Sequence, residues 1–336
     1  MLILDVNDIK KIIQKVGIKT FLEKLIIQLK NDFSNWNEFE KVPRAASHSS
    51  IGVIELMPIS NKELYSYKYV NGHPQNHILN KPTVMAMGAL SYVISGEPIL
   101  ISEMTLLTAL RTGATSALAG GYLAKKDSSI LTLIGTGAQS EFQSLAFSTV
   151  FDIKTIRYFD IDEKAMDKFE ANMAKYDFEL IRCKNSLQAV KDAHIITTIT
   201  ADKTNQTILT TDMINKGVFI NGVGGDCPGK TELQKEVVEN SKVVVEYTPQ
   251  TKIEGEIQQT GIDVVYCELH ELIKDEKKGR INNDEITLFD SVGFALEDFS
   301  VLKLVYDLAQ KYKIGKDIDL LPNQKNPKNL FGVLDE

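Results

Sequence analysis

The sequence contains few cysteines and no recognisable cluster of metal-binding residues. Its three cysteines, Cys183, Cys227 and Cys267, are widely spaced and form no CxxC pair, so they indicate neither a zinc site nor a disulfide framework. The five histidines show no HExxH or other metal-ligand spacing. We therefore expect no bound metal, and reduced thiols in a cytoplasmic protein.

Long apolar runs are also missing. No segment approaches the roughly 18 apolar residues that a membrane-spanning helix needs. Near the N-terminus, Lys10, Lys11, Lys15, Lys19 and Lys24 interrupt every apolar run, which argues against a signal peptide. The apolar residues between these lysines follow helical spacing. They predict amphipathic helices, interrupted at residue 17, that dock on a core rather than on a membrane.

Positive charge is not in excess. The chain has 38 Lys and Arg residues against 45 Asp and Glu residues, which gives a net charge of −7. This balance provides no broad basic surface for nucleic acid or for an anionic membrane. Any site for an anion must therefore be built locally, and we expect a small molecule as the partner rather than nucleic acid or a membrane.

The pattern of the first third predicts an antiparallel meander followed by a helix. The 336 residues suggest about two domains. Short apolar or alternating runs at 51–57, 64–70, 83–93 and 98–102 are separated by turn signals. Residues 105–124 form a helical segment rich in Gly, Ala, Ser and Thr. Because small side chains allow another backbone to approach closely, we expect this helix to be buried.

From residue 129 the pattern changes to alternating strands and helices. Apolar strand-like runs at 130–134, 155–159, 178–181, 194–198, 218–220, 243–245 and 287–289 are separated by helical segments. Such an order predicts an α/β fold with a Rossmann-type parallel sheet covered by helices on both faces. A C-terminal helix near 298–312 is expected to return to the first domain.

A glycine-rich turn follows the first strand of this region. Gly135, Gly137, Ala138 and Gln139 lie in the run Gly-Thr-Gly-Ala-Gln-Ser, where backbone N–H groups and a helix N-terminus can bind a pyrophosphate. Asp160 follows the next strand, where a carboxylate binds a ribose diol and repels a 2′-phosphate, so NAD is favoured over NADP. The alternative is a ligand-free turn, with Asp160 capping the next helix.

The local sequence around several charged residues does not determine whether they belong to a binding site. In the strand around Lys68, the alternation of side chains places the lysine on one face and three tyrosines on the other. For a single lysine in a strand, exposure to solvent is the simpler expectation. Arg111 lies within the small-residue helix and needs a partner, either a bound anion or a buried carboxylate. Arg44, taken alone, is an ordinary surface residue.

A second glycine-rich loop, 222–230, follows the strand at 218–220. Loops at the carboxyl ends of parallel strands bind ligands in such sheets. Gly224 and Gly225 would let the backbone approach a nicotinamide, and Asp226 would point towards a substrate. The alternative is a flexible turn in which Asp226 and Lys230 cap the following helix.

Together these segments resemble the ornithine cyclodeaminase/mu-crystallin family, over about residues 39–298. The resemblance is carried by Pro-Arg at 43–44, Glu-Leu-Met-Pro at 55–58, Lys-Tyr-Val-Asn-Gly-His-Pro at 68–74, Ser-Glu-Met-Thr at 102–105, Ala-Leu-Arg-Thr at 109–112, the glycine turn at 135–142, the loop at 221–233 and Pro-Gln-Thr-Lys-Ile-Glu-Gly-Glu at 249–256. The runs at 68–74 and 224–230 are more similar to the cyclodeaminase branch.

The resemblance implies a fold and a reaction. It implies a Rossmann NAD-binding domain, 113–300, and an α+β substrate-binding and dimerisation domain built from both chain ends, 1–112 and 301–336, in a homodimer. The implied reaction converts L-ornithine to L-proline and ammonia, with NAD⁺ regenerated in each cycle. Lysine cyclodeamination, imine reduction or amino-acid dehydrogenation, and a non-catalytic crystallin-like role are the alternatives.

The resemblance also implies roles for individual residues. Asp226 would be the acid/base group, and Arg44, Lys68 and Arg111 would surround the substrate carboxylate. Glu55 would bind the distal amine or serve as a structural ion-pair partner. The implied contacts with the dinucleotide come from Thr83, Arg111, Gly135, Gly137, Ala138, Gln139, Asp160, Thr200, Val223, Gly224, Gly225, Asp226, Lys230 and Ser291.

Overall fold

The computed structural model describes residues 1–201, 206–323 and 325–334. One sheet has the strand order β16-β1-β7-β6-β5-β4-β2, and β3 also pairs with β4. Neighbouring strands are antiparallel except for the parallel pair β1 and β7. Its strands are β1 (Leu2–Leu4), β2 (Glu40–Lys41), β3 (Ala45–Ser49), β4 (Gly52–Ser60), β5 (Leu64–Gly72), β6 (Val84–Tyr92), β7 (Pro98–Glu103) and β16 (Lys316–Asp317).

The other sheet is parallel throughout, with the order β10-β9-β8-β11-β12-β15-β13-β14. The chain runs outward from β8 to β9 and β10, then returns to place β11 on the other side of β8. Ligands bind at such a reversal of strand order in open α/β sheets. The strands are β8 (Ile130–Ile134), β9 (Thr155–Phe159), β10 (Glu179–Arg182), β11 (Ile195–Thr198), β12 (Phe219–Gly222), β13 (Lys242–Val245), β14 (Val265–Glu268) and β15 (Thr287–Asp290).

Helices cover both sheets and join them. The long helix α3 is almost wholly buried and contacts β6 of the antiparallel sheet as well as β12 and β15 of the parallel sheet. The helix α10 contacts α2, α3 and strands β4 to β6. The helices are α1 (Val6–Val16), α2 (Ile18–Ser34), α3 (Thr105–Leu123), α4 (Ser140–Val150), α5 (Glu163–Met173), α6 (Ser186–Val190), α7 (Lys235–Glu239), α8 (Thr248–Glu254), α9 (Leu269–Ile273) and α10 (Ala295–Tyr312).

The predicted architecture is confirmed in its main features. The meander, the buried small-residue helix and the Rossmann-type parallel sheet are all present. The sequence patterns did not predict the short strands β1, β2, β3, β14 and β16. The predicted domain boundaries stay predictions, and α3 and α10 run without a break across residues 112 and 300. Among the described residues, no helix has both the length and the apolar character that a bilayer span requires.

Gly113 and Gly121 of α3 allow the packing of this helix to be tested. A Cβ atom on Gly113 would lie 2.8 Å from the backbone oxygen of Phe142 in α4, whereas one on Gly121 would lie 3.7 Å from the nearest atom, Cγ1 of Val150. We expect Gly113→Ala to lower the free energy of unfolding by about 1–3 kcal/mol because the helices must separate. Gly121→Ala should raise it by up to about 1 kcal/mol through helix propensity. Urea denaturation measures both, and equal stability of the two variants would contradict the close contact.

Candidate functional site

A cleft lies between the two sheets, at the carboxyl ends of the central parallel strands. One wall is formed by β4, β5 and α3, and the other by the loops that follow β8, β11, β12 and β15. The lining residues include Arg44, Glu55, Lys68, Thr83, Arg111, Gly137, Ala138, Gln139, Thr200, Val223, Gly224, Asp226, Lys230 and Ser291.

The glycine turn closes the end of this cleft next to the reversal of strand order. Gly135 follows β8 with φ +103°, and a Cβ atom there would lie 2.7 Å from the backbone oxygen of Ile199, which follows β11. Asp160 accepts hydrogen bonds at Oδ2 from the backbone N (2.6 Å) and Oγ1 (3.1 Å) of Thr136. The carboxylate that follows β9 is therefore fixed against the glycine turn. The cap of helix α5 is Asp162 rather than Asp160.

The turn leaves room for a ligand. A Cβ atom on Gly137 would meet no atom within 4 Å, although the residue before it is buried. Within the described residues, Oε1 of Gln139 is buried without a hydrogen-bond partner. The helix α4 begins immediately afterwards, at Ser140. An open concavity beside a helix N-terminus, where backbone N–H groups can donate, fits a pyrophosphate.

The loop after β12 is tied to the loop after β11. Nζ of Lys230 donates to the backbone oxygen of Thr200 (2.7 Å) and lies 3.3 Å from Oδ1 of Asp226. Burial lowers the pKa of Lys230, but the charges of Asp226 and Glu232 raise it above the ordinary value. The Asp226 side chain is 53% exposed, so its carboxylate can meet a ligand. The helix α7 begins only at Lys235, and its N-cap is Gln234. The alternative role of Asp226 and Lys230 as helix caps is therefore wrong.

A series of buried carboxylates supports these loops from behind. Oε1 of Glu232 accepts the backbone N–H of Thr200 (2.9 Å). The carboxylate of Glu256 accepts the N–H groups of Glu232 (2.8 Å) and Leu233 (3.1 Å), and Asp290 accepts that of Glu256 (2.9 Å). Burial raises the pKa of Asp290 to about 7 and the pKa values of Glu232 and Glu256 as well. Sequence analysis assigned no role to these carboxylates.

Two cations on the opposite wall are paired with acids of α10. Nζ of Lys68 lies 2.8 Å from Oδ2 and 2.9 Å from Oδ1 of Asp298. Arg111 donates from Nε to Oδ1 of Asp298 (3.1 Å) and from Nη1 to Oε2 of Glu297 (2.7 Å). Burial and the charge of Arg111 lower the pKa of Lys68 to about 8. The expectation of a solvent-exposed Lys68 is therefore wrong, because the lysine is 1% exposed and has a buried partner.

Arg44 is held by acids and carbonyl groups. Its Nη1 donates to Oε2 of Glu55 (3.1 Å), its Nε lies 3.2 Å from Oε2 of Glu254, and its Nη2 donates to the backbone oxygens of Val292 and Gly293 (both 2.6 Å). The side chain is only 7% exposed, so Arg44 is not the surface residue that its local sequence suggests. Burial raises the pKa of Glu254 to about 7. The contact with Arg44 agrees with a structural ion pair for Glu55, which also lines the cleft.

The structure brings most of the predicted site residues into this one cleft. Among the predicted residues, Gly135, Asp160 and Gly225 do not line it: Gly135 and Asp160 support the glycine turn, and Gly225 faces Glu256. The acids missed by sequence analysis include Glu246, whose Oε1 accepts a hydrogen bond from Oγ of Ser291 (2.6 Å). Burial and Glu297 raise its pKa to about 8. The sequence does contain a feature that could have indicated these buried acids: acidic residues within apolar segments, such as Ala-Leu-Glu-Asp-Phe at 295–299.

The fold and the cleft define an α/β protein with a Rossmann-type parallel sheet and a second, mostly antiparallel sheet, with a charged site at the reversal of strand order. The chain belongs to the ornithine cyclodeaminase/mu-crystallin family, whose model matches residues 6–313.

Several known proteins resemble the chain over almost its whole length. It is 50% identical over 331 residues to an ornithine cyclodeaminase of Agrobacterium fabrum strain C58, covering 98% of this chain and 94% of the relative. A solved lysine cyclodeaminase, described with L-lysine, L-ornithine and L-2,4-diaminobutyric acid, has a TM-score of 0.94, 27% identity and 99% coverage of both chains. A dimeric archaeal alanine dehydrogenase with bound NAD has a TM-score of 0.87 and 30% identity, covering 96% of this chain and 99% of that chain.

The two glycines of the turn predict separable effects on folding and binding. Gly135→Ala should lower the melting temperature, because alanine is strained at this positive φ and its Cβ would approach Ile199. Gly137→Ala should leave the melting temperature unchanged, since its Cβ meets only open space. It should weaken NAD⁺ binding about 10- to 100-fold by displacing charge-assisted hydrogen bonds to phosphate. Differential scanning fluorimetry and NAD⁺ titration measure these effects, and wild-type affinity of Gly137→Ala would contradict the assignment.

Proposed function

We propose that this chain is an NAD-dependent ornithine cyclodeaminase, which converts L-ornithine to L-proline and ammonia. The observation that carries the proposal is a single cleft containing paired cations, an accessible carboxylate and a glycine turn beside the reversal of strand order. To bind and activate an α-amino acid with a second amino group, a site needs positively charged side chains that bind the carboxylate and a base that deprotonates the distal ammonium. The 50% identical relative named ornithine cyclodeaminase supports this choice of substrate.

In this proposal, the cofactor occupies the end of the cleft with the glycine turn. The backbone at Gly137, Ala138 and Gln139 holds the pyrophosphate, and Asp160 accepts hydrogen bonds from the ribose and repels a 2′-phosphate. When bound, the cofactor would supply hydride chemistry: an acceptor, as NAD⁺, for the hydride of the substrate Cα, and a donor, as NADH, for the cyclic imine. The remaining contacts in the proposal come from Thr83, Arg111, Thr200, Val223, Gly224, Gly225, Asp226, Lys230 and Ser291.

The substrate carboxylate binds to Lys68 and Arg111, which orients the Cα–H bond. Arg44 lies beside this site and donates four hydrogen bonds or ion-pair contacts to protein oxygens, so it contributes at most a further Nη1–H to the carboxylate. Glu55 is paired with Arg44 and also lines the cleft, so its carboxylate can attract the distal ammonium.

Asp226 moves the protons. Loss of hydride from Cα leaves an iminium on the substrate. The exposed carboxylate of Asp226 takes a proton from the δ-ammonium, so that the neutral amine adds to the iminium carbon, and then gives that proton to the α-amino group, whose bond to Cα breaks as ammonia leaves. Lys230 lies 3.3 Å from this carboxylate and also donates to Thr200, so it holds Asp226 beside the loop after β11. This order predicts that the nitrogen released comes from the α position.

We further propose a cytoplasmic homodimer that forms through the outer face of the antiparallel sheet. On that face Leu56, Tyr69 and Met87 are neighbours across β4, β5 and β6, and each is about 40% exposed. A contiguous apolar surface of this kind is typical of a protein interface. The substrate side of each subunit would comprise 1–112 and 301–336, and the cofactor side 113–300. No disulfide joins the three cysteines, all of which lie in the described part of the chain, and this fits a reducing compartment.

Turnover with a trace of cofactor tests the reaction. We expect ornithine labelled with ¹⁵N at the α position to yield unlabelled proline and labelled ammonia, in molar excess over the NAD⁺ supplied. Mass spectrometry of both products, with L-lysine in a parallel sample, measures nitrogen origin and selectivity. One methylene changes selectivity by about 1–3 kcal/mol, so ornithine should exceed lysine by about 10-fold or more.

Asp226→Asn provides the matched variant for this assay. It should lower kcat by about 10²–10⁴-fold, the usual contribution of a general acid–base group, while NAD⁺ still binds. Near-normal proline formation by this variant would refute the role of Asp226. Product that depends strictly on stoichiometric NADH would refute cyclodeamination and favour an imine reductase.

The dimer proposal predicts a change in mass rather than in folding. Leu56→Lys combined with Met87→Lys places two charges in the apolar face, and a buried unpaired charge costs several kcal/mol, so dimerisation should weaken by about 100-fold or more. Leu187→Lys replaces an exposed leucine of α6 in the parallel-sheet region and should have no effect. Sedimentation velocity measures the mass, and a double variant that remains dimeric would exclude this face.

A further inference from the structure

The acid pair at the start of α10 connects three elements that are distant in sequence. Asp298 contacts Lys68 of β5 and Arg111 of α3 through a single carboxylate, at distances between 2.8 and 3.1 Å. The three side chains are buried, with exposures of 1%, 1% and 6%. Glu297, the preceding residue, contacts Arg111 and also accepts the backbone N–H of Phe294 (3.0 Å), the N-cap of α10. The first turn of α10 therefore holds both cations on the side away from the cleft.

The geometry shows that one carboxylate can span these two cations. Oδ1 of Asp298 is within hydrogen-bond distance of both Nζ of Lys68 and Nε of Arg111. A lysine ammonium has three donors and a guanidinium has five, so contacts with Asp298 and Glu297 leave donors on both groups. Because both cations line the cleft, those donors can meet a second carboxylate from the cleft side.

We propose that Asp298 is a positioning residue that holds the Lys68 ammonium and the Arg111 guanidinium side by side, as cations, for one substrate carboxylate. This inference rests on the proposed function for the identity of that substrate. Without Asp298, two buried cations would face each other with less compensating charge. The lysine can relieve the repulsion by losing its proton, whereas the arginine cannot.

The surroundings of Lys68 determine the direction of the effect. Burial and the charges of Arg111 and Arg44 lower its pKa, while the charge and hydrogen bond of Asp298 raise it, with a result of about 8. Glu297 of α10 lies against Arg111, and Glu55 of β4 lies against Arg44, so neither acid is paired directly with the lysine. Removing the negative charge of Asp298 must therefore lower the pKa of Lys68 further.

Asp298→Asn keeps the shape of the side chain and removes its charge. We expect the KM for ornithine at pH 8 to rise about 10- to 100-fold, the usual effect of losing a hydrogen bond to a charged group. The basic limb of the kcat/KM profile should move to lower pH, with little change in NAD⁺ affinity. Asp298→Glu keeps the charge and should restore the basic limb in part.

Asp32→Asn is the matched control. Asp32 is also buried and also contacts α10, where it accepts a hydrogen bond from Oγ of Ser300 (2.6 Å), but its contacts do not include either cation. It should leave the KM and the pH profile unchanged. An equal rise of the KM for ornithine in Asp32→Asn and Asp298→Asn would overturn the proposal, because the rise would then come from altered packing of α10.

Competitive labelling measures the protonation of Lys68 without any turnover. Trace acetic anhydride is applied at a series of pH values, and the peptide containing Lys68 is quantified by mass spectrometry. We expect half-maximal reactivity near pH 8 in the wild type and at lower pH in Asp298→Asn. A wild-type value near 10.5, or an unchanged value in the variant, would overturn the proposal. If labelling shifts as expected but ornithine is not converted, the proposed function fails and the positioning role stands.

Discussion

The burial of positive charge beneath the cleft is the constraint on which the rest of the structure depends. Lys68 and Arg111 lie away from water, where an unpaired charge is costly, so each requires a carboxylate at hydrogen-bond distance. Asp298 and Glu297 supply these carboxylates from adjacent positions. The requirement fixes α10 against the antiparallel sheet and α3, and so joins the C-terminal part of the chain to its beginning.

On the opposite wall of the cleft, buried carboxylates are also paired with hydrogen-bond donors, but here the donors are backbone N–H groups. Three buried carboxylates form a series in which each accepts a backbone N–H group of the next member. Asp290 accepts the N–H of Glu256, and Glu256 accepts that of Glu232. Glu232 accepts the N–H of Thr200, whose carbonyl oxygen binds Lys230. Each of these buried carboxylates accepts a hydrogen bond from at least one backbone N–H group of another segment. The loops that surround the cofactor and substrate are thus positioned by polar contacts, although the sheet beneath them is apolar.

Local patterns were sufficient to predict β8 and β9 and the glycine turn beside them. The bounds of β8 and β9 agree with the apolar runs, and Gly135 and Asp160 follow them as predicted, because strand, turn and helix signals lie within a few residues. The environment of Lys68 could not be predicted in this way, since its partner Asp298 is 230 residues away. The environment of Arg44 could not be predicted for the same reason. Strands β1 and β16 contain too few residues to show an alternating pattern.

A crystal structure of the protein with NAD⁺ and L-proline tests the central claim most directly, because it locates the carboxylate relative to the buried cations. The account predicts that the proline carboxylate is hydrogen-bonded to both Lys68 and Arg111 on the cleft side, with Asp298 still behind them and Asp226 near the ring nitrogen. A carboxylate bound elsewhere, with Lys68 and Arg111 contacting only the acids of α10, would contradict it.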